Sequence, residues 1–242
     1  MNNRKKIEKI SVVEQLTDYL KQDILDRKWA VGEKIPSESD IADKYGVNRL
    51  SVRMALQKLN TLGVIETRVG EGSFVKDFSM YSIFNEIADY YYSSDRFEEI
   101  KETRRLIERE CIKKAAKLAT DEEKKVLKNN LDKYLHYREQ IQKDFSKEVF
   151  EDTIAADFSF HSQIVSMSHN QLYQEIYYMV QKLIRAHIAS LIEKRRFSPE
   201  YMDISSPDEH VALYENICNG DFIQAHKYLD KILDIKDSEP AE

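Results

Sequence analysis

Two groups of residues in the 242-residue chain have the types and spacing to do chemistry. One lies between Asp43 and Glu66, an interval without an acidic residue in which Lys44, Arg49, Arg53 and Lys58 are all basic. Arg49 and Arg53 stand one helical turn apart and share a face, with Asn48 and Ser51 beside them. A guanidinium clamps a phosphate or takes a guanine edge bidentately, while Ser and Asn reach phosphate oxygens or base edges. A helix bound for a DNA groove needs that set at its N-terminal turns and keeps carboxylates away. The other group is Asp157 and His161, at i and i+4, which project from one helix face and hold a single cation if another helix brings a third ligand. The competing readings are a solvated cationic face for the first group and a surface pair or satisfied core contact for the second.

Both groups need helices to position them, and the composition favours helices. Hydrophobic residues make up 42% and charged residues 33%, with six Gly and four Pro, which excludes a disordered, collagenous or loop-dominated chain. Charge interrupts every apolar stretch well short of the ~20 residues of a membrane span, and the polar N-terminus lacks a secretory pattern, so a soluble cytoplasmic protein is expected. Cys111 and Cys218 lie far apart without CxxC spacing, which argues against a disulfide framework or zinc finger and for reduced, buried thiols. The net charge of −6 is unevenly divided. Residues 1–76 carry 14 basic against 11 acidic groups, a net of +3, and the remainder carries 23 against 32, a net of −9. An N-terminal part that meets an anion is implied.

Val13, Leu16, Leu20 and Ile24 recur at helical spacing and predict a first helix over 12–24 that stops before Gly32. Pro36 and the capping residue Ser37 start a second, which Gly46 ends after Tyr45. Asn48 caps a third, with Val52, Ala55, Leu56, Leu59 and Leu62 on its inner face until Gly63. Strands over 64–67 and 73–76 form a hairpin around Gly70 and Gly72, a wing from which Arg68 reaches the neighbouring DNA backbone. From about Met80 the pattern is helical almost without relief, with helices predicted over 81–92, 96–118, 121–143, 150–168, 171–195, 207–218 and 221–236. Thr120, Ser206 and Gly220 stand at expected caps. The expectation is a mainly α protein: a winged helix-turn-helix over 1–78, an all-helical bundle over 79–236 and a disordered tail over 237–242.

The segment Lys34-Ile35-Pro36-Ser37-Glu38, Asp40-Ile41-Ala42, Gly46-Val47-Asn48-Arg49, Ser51-Val52-Arg53, Ala55-Leu56, Leu59, Gly63-Val64-Ile65 and Gly70-Glu71-Gly72-Ser73-Phe74-Val75 resembles the winged-helix domain of GntR-family bacterial transcription regulators. The resemblance implies DNA contacts at Arg49, Ser51, Arg53 and Gly70. Ser39 and Leu50 depart from it, standing where Arg and Thr are common, which leaves room for an operator of different sequence. The helical second half resembles the FadR-type branch, whose effector domain is called FCD. Arg104-x-x-x-Glu108 resembles the opening of that domain, and Asp157-x-x-x-His161 and Glu209-His210 resemble two of its metal-binding elements.

That resemblance implies His210 as the third ligand of Zn²⁺, Ni²⁺ or Mn²⁺. The fourth histidine of many relatives falls on Ile232 here, and His226, six residues earlier, faces another way on a regular helix. Arg104 is the candidate for an effector carboxylate, against the alternative of an ion pair with Glu108. His187, the Tyr90-Tyr91-Tyr92 run and the methionines read as packing. The function expected is a homodimeric repressor on an inverted-repeat operator, switched by a small carboxylate, a sugar acid or organic acid, with or without metal. Two alternatives stand beside it. One is an acyl-CoA-responsive regulator without metal, and the other is a metal-dependent enzyme with a DNA-binding appendage, against which the lack of HExxH, a phosphate loop or a nucleophile elbow counts.

Overall fold

Each of the first three helices begins on a side-chain cap that the sequence supplies. Ser11 accepts from the Glu14 amide and starts α1 (Val12–Leu25), Ser37 forms a reciprocal capping box with Asp40 and starts α2 (Glu38–Tyr45), and Asn48 accepts from the Ser51 amide and starts α3 (Arg49–Thr61). Gly46 closes α2 in the left-handed conformation at φ 63°. Leu16 and Leu20 of α1, Ile41 of α2 and Val52, Ala55, Leu56 and Leu59 of α3 bury together over Ile65 and Val75 of the hairpin. The computed structural model describes residues 10–91, 96–197 and 208–235.

The hairpin pairs β1 (Ile65–Arg68) with β2 (Gly72–Val75) antiparallel, from Ile65 against Val75 to Arg68 against Gly72. Its strands lie one residue nearer the tip than the sequence pattern places them. Arg68 accepts from the Glu71 amide through its carbonyl (3.1 Å), so the turn contracts to Val69-Gly70-Glu71 with Gly70 at φ 79°. A polar device unseen in the pattern ties α1 to α2. Buried Asp23 accepts from Lys28, Lys44 (3.2 Å) and the Tyr45 hydroxyl (2.8 Å). Burial opposes the charge, but these donors outweigh it and hold the carboxyl at about 2.

The chain divides into two compact units between Ile83 and Phe84, inside helix α4 (Met80–Tyr91). The second unit continues with α5 (Phe97–Leu118), α6 (Asp121–Lys143), α7 (Lys147–Ser166), α8 (Gln171–Met179), α9 (Gln181–Arg195), α10 (Glu209–Cys218) and α11 (Phe222–Ile232). Helix α7 lies between two apolar clusters and feeds both. Its Phe160 and Ile164 join Ile112, Leu127, Leu131, Leu213 and Leu229, and its Ile154 and Phe158 join Cys111, Tyr177, Ile184 and Ile188. Among the described residues no helix is long and apolar enough to cross a membrane. Cys111 is buried, which pushes its thiol up to about 11, whereas Cys218 is only half-buried.

Several helix boundaries differ from the sequence reading. The stretch over 171–195 is two helices, broken at Val180 (φ −95°, ψ 11°), where the Leu183 amide turns back to the Val180 carbonyl. Apolar spacing runs straight through, and neither Gly nor Pro marks the break. The Tyr177 hydroxyl, tied to Glu108 at 2.8 Å, fixes α8 just before it, and β-branched Val180 yields. Helix α7 starts three residues earlier than 150 because Ser146 caps it, and it ends before Ser168 because the chain turns at His169 (φ 53°). Asp208 caps α10, and Asp221 rather than Gly220 caps α11, which ends at Ile232 before a turn at Asp234 (φ 56°). Ser206, Pro207, Tyr92, Lys236 and the tail over 237–242 lie outside the described residues.

Trp29, the only tryptophan, packs against the N-terminal core and reports on that unit. Asp23→Ala removes charge-assisted hydrogen bonds of the kind that contribute about 1.5–3 kcal/mol. In urea titrations followed by Trp29 fluorescence, the transition of this unit should move to lower denaturant by about that free energy; an unchanged midpoint would contradict the tie.

A candidate DNA-reading face and a candidate metal centre

The first turns of α3 present the cations that the sequence singles out. Arg49 and Arg53 are 66% and 64% exposed at their side chains. Asn48 is occupied as the cap of α3, accepting from the Ser51 amide at 2.8 Å, and Ser51 is half-buried. The interval is acid-free along the chain but not in space. Glu38, at the start of α2, accepts both Nε and Nη2 of Arg53 at 2.9 and 2.8 Å, and lies 4.0 Å from Arg49. The Arg53 fork holds the Glu38 carboxyl below its ordinary range. Sequence reasoning missed Glu38, which stands 15 residues before its partner. The pair holds the planar guanidinium of Arg53 in one pose through its Nε and Nη2 edge.

On the hairpin, Arg68 stacks over the Phe74 ring at 4.5 Å and pairs with Glu66 at 2.9 Å, with its side chain half-exposed. Gly70 stands at the tip with open space where a Cβ would be. Lys58 pairs with Glu14 (2.5 Å). Between this hairpin, the N-terminal end of α2 and the side of α3 that carries Arg53 and Asn60 runs a groove of about 630 Å³, lined by Lys34, Glu38, Arg53, Arg68 and Gly70 among others.

In the second unit, Asp157 and His161 of α7 and His210 of α10 come together, with one donor atom from each within 4.8 Å of the others, and all three are buried. A second ring of carboxylates orients the imidazoles. Nδ1 of His210 donates to Asp208 Oδ1 at 2.8 Å, and Asp208 Oδ2 in turn faces Arg138 at 3.0 Å. Nδ1 of His161 lies 2.7 Å from Glu108 Oε2, at an angle short of a good hydrogen bond. Both Nε2 atoms are thereby turned toward each other, 3.4 Å apart, with Asp157 Oδ2 3.4 Å from that of His210. The His210 ring is held against Tyr134 (4.1 Å) and Phe160 (5.4 Å).

These residues fit a divalent cation. Asp157 Oδ1 is buried and accepts no hydrogen bond, with Nε2 of His161 3.8 Å away. Two imidazoles whose far nitrogens face carboxylates have the usual support of a metal-ligating pair. Ile232 is buried at the edge of the cluster and offers no donor, and His226 instead contacts the Arg109 carbonyl at 2.8 Å. The charges are correspondingly perturbed. Burial works against the His210 imidazolium, but Asp208 and Asp157 outweigh it and raise its pKa to about 9. Asp208, which burial alone would raise, is held at about 2 by His210 and Arg138.

Arg104 of α5 makes the ion pair that the sequence offered as the alternative to ligand binding, donating from Nε to Glu108 Oε1 at 2.8 Å, with both side chains 1% exposed. Tyr177 donates to the same oxygen at 2.8 Å. The pair does not exhaust the guanidinium. Nη1 lies 3.5 Å from Nδ1 of His187, an imidazole that burial first and Arg104 second push down to about 3, and Nη2 is buried without a hydrogen-bond partner. Sequence reasoning took His187 as packing and gave Asp208, Arg138 and Tyr177 no role; the signal for Asp208 is a carboxylate two residues before a histidine, at a helix cap.

Comparison with known proteins agrees with this architecture. Residues 12–75 match the family model described as "Bacterial regulatory proteins, gntR family", and residues 99–234 match the FCD domain. The HTH-type transcriptional regulator LutR of Bacillus subtilis is 26% identical over 198 residues, spanning 80% of this chain and 85% of that protein. The HTH-type transcriptional repressor NanR of Cronobacter sakazakii is 26% identical over 235 residues, spanning 93% and 84%. The solved structure titled "Streptococcus agalactiae GntR" superposes with a TM-score of 0.64 at 21% identity, covering 93% of this chain and 98% of that one, which bears on the fold.

The raised pKa of His210 has a sign that can be measured. A folded-state value of about 9 against about 6.5 unfolded means that its contribution to stability is full below pH 6.5 and is lost as pH rises through 9. In chelator-treated protein, Tm should fall between those two values and the fall should disappear in His210→Gln; a Tm that stays flat or rises in the unaltered chain would contradict the assignment.

Proposed function

The chain belongs to the GntR family of bacterial regulatory proteins and carries an FCD domain over more than half its length, and on that premise we propose that it is a repressor released or engaged by a small carboxylate. It is a DNA-binding transcription regulator, and its relatives are regulators rather than enzymes. The reading assigns DNA contact to Asn48, Arg49, Ser51, Arg53, Arg68 and Gly70. It assigns a divalent cation, Zn²⁺, Ni²⁺ or Mn²⁺, to Asp157, His161 and His210, and the effector carboxylate to Arg104. NanR is named a transcriptional repressor, which favours repression here. An inverted-repeat operator read by a homodimer follows from the two-fold symmetry that such winged helices use.

One observation carries the effector reading. A helical bundle has no need of a buried cluster of Arg104, Glu108, Asp157, Asp208, His161 and His210, and Arg104 Nη2 and Asp157 Oδ1 are among its atoms left without a hydrogen-bond partner. A bound cation supplies a Lewis-acidic anchor for an effector oxygen. Around it Arg104 takes the carboxylate, Glu108 and Asp208 keep the imidazoles turned inward, and His187, neutral, leaves the Arg104 charge undiluted. The effector regulates by its difference in affinity for the DNA-competent and DNA-incompetent states.

On the DNA side, Arg53→Ala removes a guanidinium already aligned by Glu38. Gel-shift titration against a duplex selected from random sequence by the unaltered protein should show binding weakened by about 1–3 kcal/mol, with circular dichroism unchanged; a folded variant that binds as the unaltered protein does would remove Arg53 from the interface.

A further inference from the structure

The metal cluster leaves little room for the body of a ligand. The void that Arg104, Asp157 and His210 share is about 20 Å³, enough for a single water, and Ile188, Ile192 and Ile232 close it. Arg104 also lines a second, larger cavity of about 320 Å³, within the range of small-molecule sites. Its walls are apolar: Phe84 of α4, Ile100 and Ile107 of α5, Val180, and Leu183 and Ile184 of α9. The polar residues around it are mostly engaged on the solvent side. Glu99 and Thr103 are exposed, Arg96 pairs with Glu99 (3.5 Å), and the Thr103 hydroxyl donates to the Glu99 carbonyl (2.8 Å). Arg104 is the buried cation among the lining residues, and its Nη2 is the nitrogen without a partner.

We propose that this cavity holds the apolar body of an amphipathic monocarboxylate, an aliphatic or arylalkyl acid whose carboxylate lies against Arg104. The proposal rests on the carboxylate-effector reading above and narrows it, because it replaces a polyhydroxylated acid by an apolar one. At about 30 Å³ per water-sized group, the space admits roughly ten methylene-sized groups. A sugar acid placed there would bury hydroxyls against Ile100, Leu183 and Ile184 without hydrogen-bond partners, which costs free energy, whereas each methylene gains by leaving water. The occupant would also rest on Phe84, in the helix that follows the wing in the chain, so that its binding bears directly on α4.

The test is calorimetric titration of the full chain with butanoate, hexanoate and octanoate, with gluconate and octanol for comparison, repeated on Ile107→Trp and Val180→Phe, which fill the cavity from α5 and from the break between α8 and α9. Affinity should rise about fourfold with each added methylene. Octanol should bind about tenfold or more weakly than octanoate, since it lacks the charge that Arg104 pairs with. Gluconate should not bind, and a folded filled variant should lose most of its octanoate affinity. Failure of octanoate to bind, an affinity flat along the series, or a folded filled variant that binds as the unaltered chain does would overturn the inference. If gluconate binds instead, the carboxylate-sensor reading outlives this narrower one; if no carboxylate binds, both fall. Should neither filled variant fold, the chain-length series decides alone.

Discussion

Two carboxylates holding two imidazoles is the arrangement on which the helical unit turns. Glu108 faces Nδ1 of His161 and Asp208 takes Nδ1 of His210, so the remaining ring nitrogens can only look inward, toward each other and Asp157. Taking that many ionisable groups out of water costs several kcal/mol per ion, and well-packed apolar residues of the same volume would often be at least as stable. The cluster is thus weak as a source of stability. Its geometry is what it contributes: three donors converge on one point, and among the atoms without a hydrogen bond are Asp157 Oδ1 and Arg104 Nη2, which a cation and an anion would satisfy.

The apolar framework serves that arrangement. Helix α7 carries both Asp157 and His161 between two hydrophobic clusters, so its rotation is fixed on each side by large side chains such as Phe160 and Phe158. Tyr177 connects framework to cluster. Its ring stacks on Phe158 at 5.7 Å while its hydroxyl shares the Glu108 oxygen with Arg104, and the helix breaks three residues later. In the N-terminal unit the same logic appears at smaller scale: Glu38 aligns Arg53 and Asp23 ties α1 to α2, each a carboxylate that orders a neighbouring cation.

What could be read from the sequence is what depends on neighbours along the chain. The caps at Ser37, Asn48 and Thr120, the stop at Gly46, the inner stripe of α3 and the i,i+4 pair Asp157 and His161 are local, and the structure has them. What could not be read depends on distant residues meeting. Glu38 reaches Arg53 across a turn, Asp208 meets Arg138 of another helix, and Glu108 serves Arg104, Tyr177 and His161 at once although the sequence offers it only as the partner of Arg104. The break at Val180 was hidden because apolar spacing continues through it. The large cavity was hidden for a related reason: a void is a property of three helices, and no single segment announces it.

On the proposed reading, the carboxylate-flanked histidine pair and Asp157 hold one divalent cation. Elemental analysis of the full chain purified without chelator tests it most directly, beside His161→Ala of the same yield and helicity. About one equivalent of Zn, Ni or Mn per chain is expected in the unaltered protein, and less than about a tenth of that in the variant, since loss of a ligand exceeds the 10- to 100-fold cost of losing its support. An unaltered protein carrying no more metal than the variant would contradict it.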